Sequence, residues 1–226
     1  MNGTPYTVSD VMTQTVVAVG RDAPFKDIVR TMEQWKVSAM PVLEGEGRVI
    51  GVVSEADLLP KEEFRYEEQD LSRQRLRLDD TAKAGATRAA ELMSTPAVTV
   101  HPDATVAQAA RIMAVRHVKR LPVVDGIGML QGIVSRADLL KVFLRPDAEI
   151  ADEVRRTVVS YLFPSFSHAV HVNVSEGVVT LRGHIHDTSL ISVAVRLVRA
   201  VEGVVDVEPQ LTGEPKPADG TRTTGS

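Results

Sequence analysis

Residues 51–59, GVVSEADLL, return with few changes as residues 132–140, GIVSRADLL. The same shift of 81 residues aligns the whole of 10–59 with 91–140 without a gap, and 19 of the 50 aligned positions are identical. Composition alone would give roughly 3 identities, so the chain contains a duplicated unit. Because each copy is small, we expect the two to pack on each other, and a cleft between them is a candidate binding site.

The composition of the 226 residues is that of a soluble globular protein, with 43% hydrophobic and 25% charged residues. Its net charge of −4 gives no general attraction to nucleic acid, and we expect no nucleic-acid partner. The chain has no cysteine, which excludes disulfides and thiolate metal sites. No apolar stretch approaches the roughly 18 residues of a membrane span and no secretory signal is recognisable, so we expect a cytoplasmic location.

Each copy predicts the same order of elements, βαββα. A β-rich run is followed by a helix whose apolar residues recur at i, i+3, i+4 and i+7. Two strands joined by a glycine-containing turn come next, and a short helix ends the unit. In the second copy, Thr105 and Gln108 have the spacing of a capping box. The predicted elements are 15–19, a helix from Phe25, 40–44, 49–53 and a helix from Ser54 in the first copy, and 97–100, a helix from Val106, 121–125, 130–134 and a helix from Ser135 in the second.

A different pattern follows the second copy. Asp147 and Asp187 are each placed to cap a helix, and between these helices residues 170–174 and 178–181 predict a hairpin around a Ser-Glu-Gly turn. Residues 204–207 predict a closing strand, which gives an αββαβ domain of about 65 residues, large enough for its own core. The predicted fold class is therefore mixed, α+β or α/β, with two βαββα repeats packed as a pair and one small αββαβ domain.

The predicted division of the chain follows from these patterns. The segment between the copies is highly charged, and the segment after the third domain is rich in Pro, Gly and Thr. We expect an N-terminal lead at 1–7, repeats at 8–59 and 89–145, a charged linker at 60–88, the third domain at 147–211 and a disordered tail at 212–226.

An S-x-x-D spacing recurs where a strand turns into a helix, at Ser54 and Asp57 and again at Ser135 and Asp138. The pattern by itself is that of a helix cap, which needs no ligand. The same geometry presents free N–H groups to a phosphate, and the aspartate can accept hydrogen bonds from the two hydroxyls of a ribose. Both roles can coexist.

Potential cations gather around the second Ser–Asp pair, and such a cluster favours a phosphorylated ligand, although a solvated basic face is the alternative. The first copy has no such cluster and carries Glu55 where the second has Arg136. We therefore expect Asp138 and its cationic neighbours to frame a phosphate pocket, and the first site to bind phosphate weakly or to prefer a less charged ligand. The cations are Arg116, His117, Lys119, Arg120 and Arg136, and the first copy has Trp35, Lys36, Ser38, Ala39 and Glu55 instead.

The two copies resemble a tandem pair of CBS (cystathionine-β-synthase) domains, a Bateman module, over about 8–140. The matching features are the V-x-x-x-P-V strands at 37–42 and 118–123, the shared G-h-V-S-x-x-D-L-L endings, where h is hydrophobic, and the V-M-T and L-M-S leads. The resemblance implies an adenosine ligand (AMP, ADP, ATP or S-adenosylmethionine) in clefts between the copies, no required cofactor, and a homodimer formed through the repeats.

Family roles carry over position by position. The aspartate holds the ribose, the serine lies near the phosphate, and the strand before the proline lines the adenine pocket. With the cations, the predicted nucleotide site consists of Ala39, Met40, Pro41, Ser54 and Asp57 in the first copy and of His117, Lys119, Arg120, Pro122, Ser135, Arg136 and Asp138 in the second.

Residues 147–211 resemble a BON domain, named for osmotic-stress and nodulation proteins. The matching motifs are V-x-V-x-x-G-V-V-T-L-R-G at 172–183 and V-x-G-V-V-D-V at 201–207. The resemblance implies a module that binds a phospholipid or a protein partner. The helix from Leu190 carries more apolar residues than one face needs, which indicates either a second contact or an apolar core helix.

Several functions remain open at this point. No catalytic motif is present, so we expect no enzyme, and the spaced histidines at 168, 171, 184 and 186 lack a completing carboxylate or cysteine, so we expect no metal. The leading hypothesis is a cytoplasmic regulatory protein that senses an adenosine-type ligand. The alternatives are a ligand-independent dimerisation scaffold, whose Ser–Asp pairs are only helix caps, and a membrane-associated stress protein that acts through its third domain.

Overall fold

The computed structural model describes residues 6–62, 85–164, 167 and 169–213. The chain divides into one unit that holds both repeats, residues 6–139, and a second unit that begins at Leu140. Most of the predicted lead (1–7), linker (60–88) and tail (212–226) lies outside the described residues. Helices and strands are mixed in both units, which confirms the predicted fold class.

The hairpins and long helices of the repeats form where the sequence pattern predicts them. In the first repeat the strands pair antiparallel with Met40 opposite Val53, and both side chains are fully buried in one cluster with Ile28 of the long helix. The elements of this unit are α1 Val8–Val11, β1 Val19–Gly20, α2 Phe25–Trp35, β2 Ala39–Glu44, β3 Arg48–Ser54, α3 Glu55–Leu58, α4 Ala89–Leu92, α5 Val106–Val115, β4 Arg120–Val124, β5 Leu130–Ser135 and α6 Arg136–Leu139.

Local sequence signals explain where α5 begins and why other elements were missed. The capping box at α5 is present, because the Gln108 N–H donates to Thr105 Oγ1 (3.1 Å) and the Thr105 N–H donates to Gln108 Oε1 (2.9 Å). The predicted first strands are shorter than expected: one is reduced to β1, and the other to a single parallel bridge between Val100 and Val123. Helices α1 and α4 were not predicted, since four residues are too few to show a helical period.

The segment that precedes each repeat packs on the other repeat. We call residues 6–13 the first arm and residues 85–94 the second arm. The first arm pairs with β5 through reciprocal 2.9 Å hydrogen bonds between the backbones of Thr13 and Ile133. The second arm pairs with β3 through Val52 and Ser94, whose backbone hydrogen bonds are 2.9 and 3.1 Å. The arms are therefore exchanged, and each repeat completes the core of its neighbour.

Two glycines at equivalent positions admit the exchanged arms. A Cβ atom added to Gly51 would lie 2.4 Å from Met93 Sδ, and one added to Gly132 would lie 2.6 Å from Met12 Sδ. Backbone oxygens, of Ser94 and Thr13 respectively, would lie only 3.0 Å away. The repeated glycine and the repeated methionine are thus one feature, a close contact between an arm and an edge strand that leaves no room for a side chain.

The second unit is a three-stranded sheet with helices packed on it. The strand order is β6-β7-β8, with β6 antiparallel and β8 parallel to β7. Most of the apolar residues of the helix from Leu190 pack in the core of this unit. This agrees with the second of the two interpretations of its sequence, an apolar core helix. The elements are a 3₁₀ helix Leu140–Leu144, α7 Asp147–Val154, a π-helical segment Arg155–Val159, α8 Ser160–Leu162, β6 Val170–Ser175, β7 Val178–Ile185, α9 Leu190–Arg199 and β8 Asp206–Gly213.

The start of this unit is fastened to its later elements by charged side chains. Arg145 pairs with Glu153 at 2.9 Å, and both side chains are largely buried, with 11% and 19% exposed. The sequence predicts Asp147 as the cap of α7, but Asp147 is the first helical residue. Its carboxylate instead accepts the N–H groups of Glu176 (2.8 Å) and Gly177 (2.9 Å), because the hairpin turn leaves these donors without strand partners.

Candidate functional site

A cavity of about 280 Å³ lies between the two repeats. The short helix α3 and the adjoining strand residues form its first-repeat wall, and the end of the second arm with residues 96–98, together with residues 117–120 at the start of β4, forms the opposite wall. The lining residues are Ser38, Ala39, Val52, Ser54, Glu55, Ala56 and Asp57 on one side and Ser94, Pro96, Ala97, Val98, His117, Val118, Lys119 and Arg120 on the other. We call this cavity the Asp57 cleft.

Asp57 is buried and its carboxylate is already engaged. Only 8% of the residue is exposed. Its Oδ2 accepts the N–H (2.8 Å) and the hydroxyl (2.7 Å) of Ser54, which is the helix-capping arrangement. Its Oδ1 accepts the hydroxyl of Ser94, from the second arm, at 3.2 Å. A ribose hydroxyl that binds Oδ1 would therefore compete with Ser94, the longest of these contacts.

Asp138 caps its helix as Asp57 does, but it does not line the Asp57 cleft. Its Oδ2 accepts the Ser135 N–H at 2.9 Å and the Ser135 hydroxyl at 2.6 Å. Neither Ser135 nor Asp138 lines the Asp57 cleft. The capping reading of the S-x-x-D pattern thus describes the geometry of both copies, and its ligand-binding reading remains a prediction.

The structure distributes the predicted cations differently from the sequence interpretation, which grouped them with Asp138. His117, Lys119 and Arg120 line the Asp57 cleft, across from the carboxylate of the first repeat. Arg136 is exposed, does not line the cleft and donates to the Val118 carbonyl at 3.2 Å. The reason is that the walls of the cleft come from different repeats, whereas sequence reasoning assigned each site to the copy that carries its aspartate.

Arg120 reaches directly from one repeat to the other. Its Nη2 donates to Ser38 Oγ at 2.7 Å, and its Nη1 donates to the Ala39 carbonyl at 3.3 Å. Residue 39 is the first-copy equivalent of residue 120 under the 81-residue shift. The two equivalent positions therefore face each other, and the small alanine leaves space for the long arginine.

Sequence profiles decide the family. The CBS domain profile matches residues 8–61 and 89–145, and the BON domain profile matches residues 146–215. The chain belongs to the CBS-domain family and carries a BON domain. Residues 6–139 are therefore the main body of a CBS pair, with its two CBS repeats exchanging their arms.

Curated relatives of the CBS pair include proteins without a stated activity. MJ1426 of Methanocaldococcus jannaschii, described as uncharacterized, is 30% identical over 160 residues, which cover 64% of this chain and 95% of that protein. The CBS domain-containing protein YhcV of Bacillus subtilis is 30% identical over 58% of this chain and 81% of its own length.

Among solved structures, that of CBSX2 in complex with AMP matches with a TM-score of 0.54 and 28% identity. The match covers 62% of this chain and 97% of that one, and CBSX2 is a protein of Arabidopsis thaliana. MJ1225 of M. jannaschii, a putative archaeal homolog of g-AMPK, has a TM-score of 0.50 at 23% identity and shares the fold.

The lining of the Asp57 cleft differs from the site predicted from the sequence. Some of the predicted residues do not line it, and some of the lining residues were not predicted. Met40, Pro41 and Pro122 are buried within β2 and β4 and do not line the cleft, whereas Ala39 does. Ser38, Ser94 and the segment 96–98 were missed. One sequence feature could have pointed to Ser94: it belongs to the L-M-S lead, which the duplication aligns with the V-M-T lead of the first copy.

Two wider grooves lie on the CBS pair, and one of them adjoins the Asp57 cleft through Ser38, Glu55 and Arg120. One, of about 1030 Å³, runs beside α5 and includes Arg111, Arg116 and His101; the other, of about 550 Å³, lies between α2 and α3. Neither groove is lined by Asp57 or Asp138, the two aspartates that cap α3 and α6. The Asp57 cleft is therefore the candidate ligand site.

The described residues contain neither a cluster of metal ligands nor a helix that could span a membrane. Within 6–62, 85–164, 167 and 169–213, no three His, Asp or Glu side chains are grouped closely enough to hold a metal ion. His184 bonds Thr212 Oγ1 through Nδ1 at 2.7 Å, and His168 lies outside the described residues. In that same part of the chain, every helix is too short or too polar to cross a membrane.

Proposed function

We propose that the CBS pair binds one adenosine phosphate (AMP, ADP or ATP) in the Asp57 cleft, and that the protein is a cytoplasmic regulatory sensor and not an enzyme. The observation that carries the proposal is the division of charge across the cleft. Glu55 and Asp57 lie on the first-repeat wall, and His117, Lys119 and Arg120 lie on the other. A nucleotide has the matching division, because its ribose hydroxyls donate hydrogen bonds and its phosphates accept them.

The size of the cleft and one relative support the same ligand class. A volume of about 280 Å³ is near the lower end of the range for small-molecule pockets, which suits a mononucleotide. CBSX2, at 28% identity, forms a complex with AMP. S-adenosylmethionine replaces the phosphates by a sulfonium cation and an amino-acid group, so we rank it behind the phosphates against this cationic wall.

Ligand binding becomes regulation if it changes the arrangement of the two repeats. A ligand in the cleft touches both walls, and it shifts an equilibrium between arrangements only as far as it binds one of them better. The BON domain is then the part that contacts the partner.

Thermal unfolding of the full chain with AMP, ADP, ATP and S-adenosylmethionine tests the ligand class. A ligand present at 100 times its dissociation constant stabilises the folded state by about 2.7 kcal/mol. The matched variants are Asp57→Asn and Asp138→Asn, which remove the same carboxylate from the same cap in the two repeats. We expect Asp57→Asn to abolish the AMP-dependent shift and Asp138→Asn to keep it; the reverse pattern contradicts the assignment of the cleft.

A ligand-independent scaffold is the second candidate, because both aspartates are occupied as caps. It predicts no stabilisation by any of the four compounds.

A homodimer fits either function, because large apolar side chains of the first repeat are exposed at Trp35 (58%) and Leu59 (57%). We expect light scattering to give a dimer that Trp35→Glu separates, whereas Ile127→Glu, an exposed turn control, leaves it intact.

For the BON domain we favour a protein partner over an anionic lipid. Residues 147–211 contain nine Asp and Glu against five Arg and no Lys, so the domain has no general attraction to an anionic membrane. Co-sedimentation of the full chain with neutral and with anionic vesicles tests this choice. Binding to either kind of vesicle would restore the lipid alternative.

A further inference from the structure

The Arg120 guanidinium is held by two acceptors of the first repeat. Ser38 Oγ takes the shorter bond, 2.7 Å to Nη2, and the Ala39 carbonyl takes the longer, 3.3 Å to Nη1. The backbone of Ser38 is held in place, because its carbonyl accepts the Glu55 N–H at 3.1 Å, where β3 turns into α3. The hydroxyl is thus a positioned acceptor at the edge of the Asp57 cleft, which both side chains line.

The duplication shows that this arrangement is not a general feature of the repeat. Under the 81-residue shift, Ser38 and Ala39 correspond to Lys119 and Arg120. The backbone around them is the same, since the Arg136 N–H donates to the Lys119 carbonyl at 3.1 Å as the Glu55 N–H does to Ser38. What differs is the side chains: the first copy supplies a hydroxyl acceptor where the second supplies a cation.

We propose that Ser38 sets the phosphate affinity of the cleft by competing with the ligand for the Arg120 guanidinium. This inference rests on the proposed function and deepens it. It names an uncharged residue, Ser38, that sets how strongly the cleft prefers a phosphorylated ligand over one without a phosphate. The Ser38 hydroxyl accepts a hydrogen bond from Arg120, and a phosphate takes the place of that hydroxyl on Arg120.

The competition follows from the geometry of the guanidinium. A phosphate binds arginine best through two parallel N–H groups. Each of Nη1 and Nη2 carries two N–H groups and donates one of them to the first repeat, so a phosphate that binds through these two inward-facing N–H groups displaces at least the Ser38 bond. A hydrogen bond to a charged group contributes enough free energy to change an equilibrium constant by about tenfold or more. If the Ser38 hydroxyl is removed, a phosphate can therefore bind Arg120 without first breaking the Ser38 hydrogen bond.

Isothermal titration calorimetry of the full chain with AMP and with adenosine tests this inference. We expect Ser38→Ala to bind AMP about tenfold more tightly than wild type, and the ratio of AMP to adenosine affinity to rise accordingly. Ser38→Cys, which keeps the size but is a weak acceptor, should shift the ratio in the same direction. Ser192→Ala, an exposed serine of the BON domain, is the control and should leave the ratio unchanged.

The coupling to Arg120 is tested by a double-mutant cycle. If Ser38 acts through the guanidinium, Ser38→Ala has no effect on AMP affinity in an Arg120→Ala background. Arg111→Ala removes an exposed cation that does not line the cleft, and in that background the gain from Ser38→Ala should persist. A gain that survives Arg120→Ala overturns the inference, since the hydroxyl would then act on something else.

The remaining outcomes separate this inference from the proposed function. If wild type binds AMP but Ser38→Ala and Ser38→Cys bind it equally or more weakly, Ser38 positions Arg120 and does not compete for it, and only the inference fails. If wild type binds none of AMP, ADP and ATP, the proposed function fails and the inference fails with it.

Discussion

Replacing Gly51 by alanine tests whether the exchanged arms hold the CBS pair together. A Cβ atom at this position would lie 2.4 Å from Met93 Sδ, 2.8 Å from Met93 Cγ and 3.0 Å from the Ser94 carbonyl oxygen. The methionine side chain can rotate away, but the carbonyl belongs to the backbone of the second arm and accepts the Val52 N–H. The added methyl group therefore pushes the arm off β3.

The expected cost comes from packing and from the backbone pairing. Overpacking of a close contact costs about 1–3 kcal/mol. The two hydrogen bonds between Val52 and Ser94 add about 1 kcal/mol each if the arm moves far enough to break them. Because Ser94 and the following residues 96–98 line the Asp57 cleft, displacing the arm disrupts one wall of the cleft, and the variant should weaken AMP binding as well.

Urea unfolding gives the free energy, and hydrogen exchange of the Val52 and Ser94 amides gives the local effect. Gly20→Ala is the control, because a Cβ atom there meets nothing within 4 Å. In the Gly51→Ala background, Met93→Ala should recover part of the loss, since it removes the two shortest contacts. Equal stability and equal exchange rates of Gly51→Ala and Gly20→Ala would refute the argument.

Two further predictions concern carboxylates that organise turns. Asp147→Ala should lower the free energy of unfolding of the BON domain by about 1–3 kcal/mol, measured by urea unfolding, because it leaves the Glu176 and Gly177 N–H groups without their acceptor; an unchanged midpoint argues against this role. The Met129 N–H, and after it those of Ile127 and Gly128, lower the pKa of Asp125. Its folded pKa then lies below its unfolded pKa, so its stabilisation is complete above the unfolded value, about 3.9, and is lost as pH falls through the folded value. Carboxyl NMR should place the Asp125 midpoint below that of a model peptide, and Asp125→Asn should flatten the acid limb of stability; an ordinary midpoint contradicts the turn geometry.

Elements with a clear period were predictable from the sequence. The apolar spacing from Phe25 and from Val106 predicts α2 and α5, and the β-branched runs around Pro41 and Pro122 predict the hairpins. These signals are local: they depend on neighbours a few residues apart that are buried on the same face. The capping box at Thr105 was readable for the same reason, since both partners lie within one turn.

The arm exchange and the composition of the cleft were not predictable in this way. A duplication shows that two segments adopt the same local structure, but it does not show which arm closes which repeat. The contact of Ser94 with Asp57 joins residues 37 positions apart, and that of Arg120 with Ser38 joins residues 82 apart. No local pattern encodes either pairing, and for this reason the sequence interpretation grouped the cations with Asp138.

Equivalent positions of the two repeats carry different charges, and this difference leads to a prediction about how many ligands the chain binds. The 81-residue shift maps the lining of the Asp57 cleft onto residues that include Lys119, Arg120, Arg136 and Asp138 on one side and Lys36, Ser38 and Ala39 on the other. A second cleft built from these residues has three cations on the same wall as its aspartate, and Ser38 and Ala39 stand on the opposite wall where the Asp57 cleft has Lys119 and Arg120. We therefore expect calorimetry to give one AMP per chain, with any second site at least tenfold weaker, because the wall across from Asp138 lacks the two cations that would form charged hydrogen bonds to a phosphate there. Two sites of equal affinity would show that the position of the cations does not select the cleft.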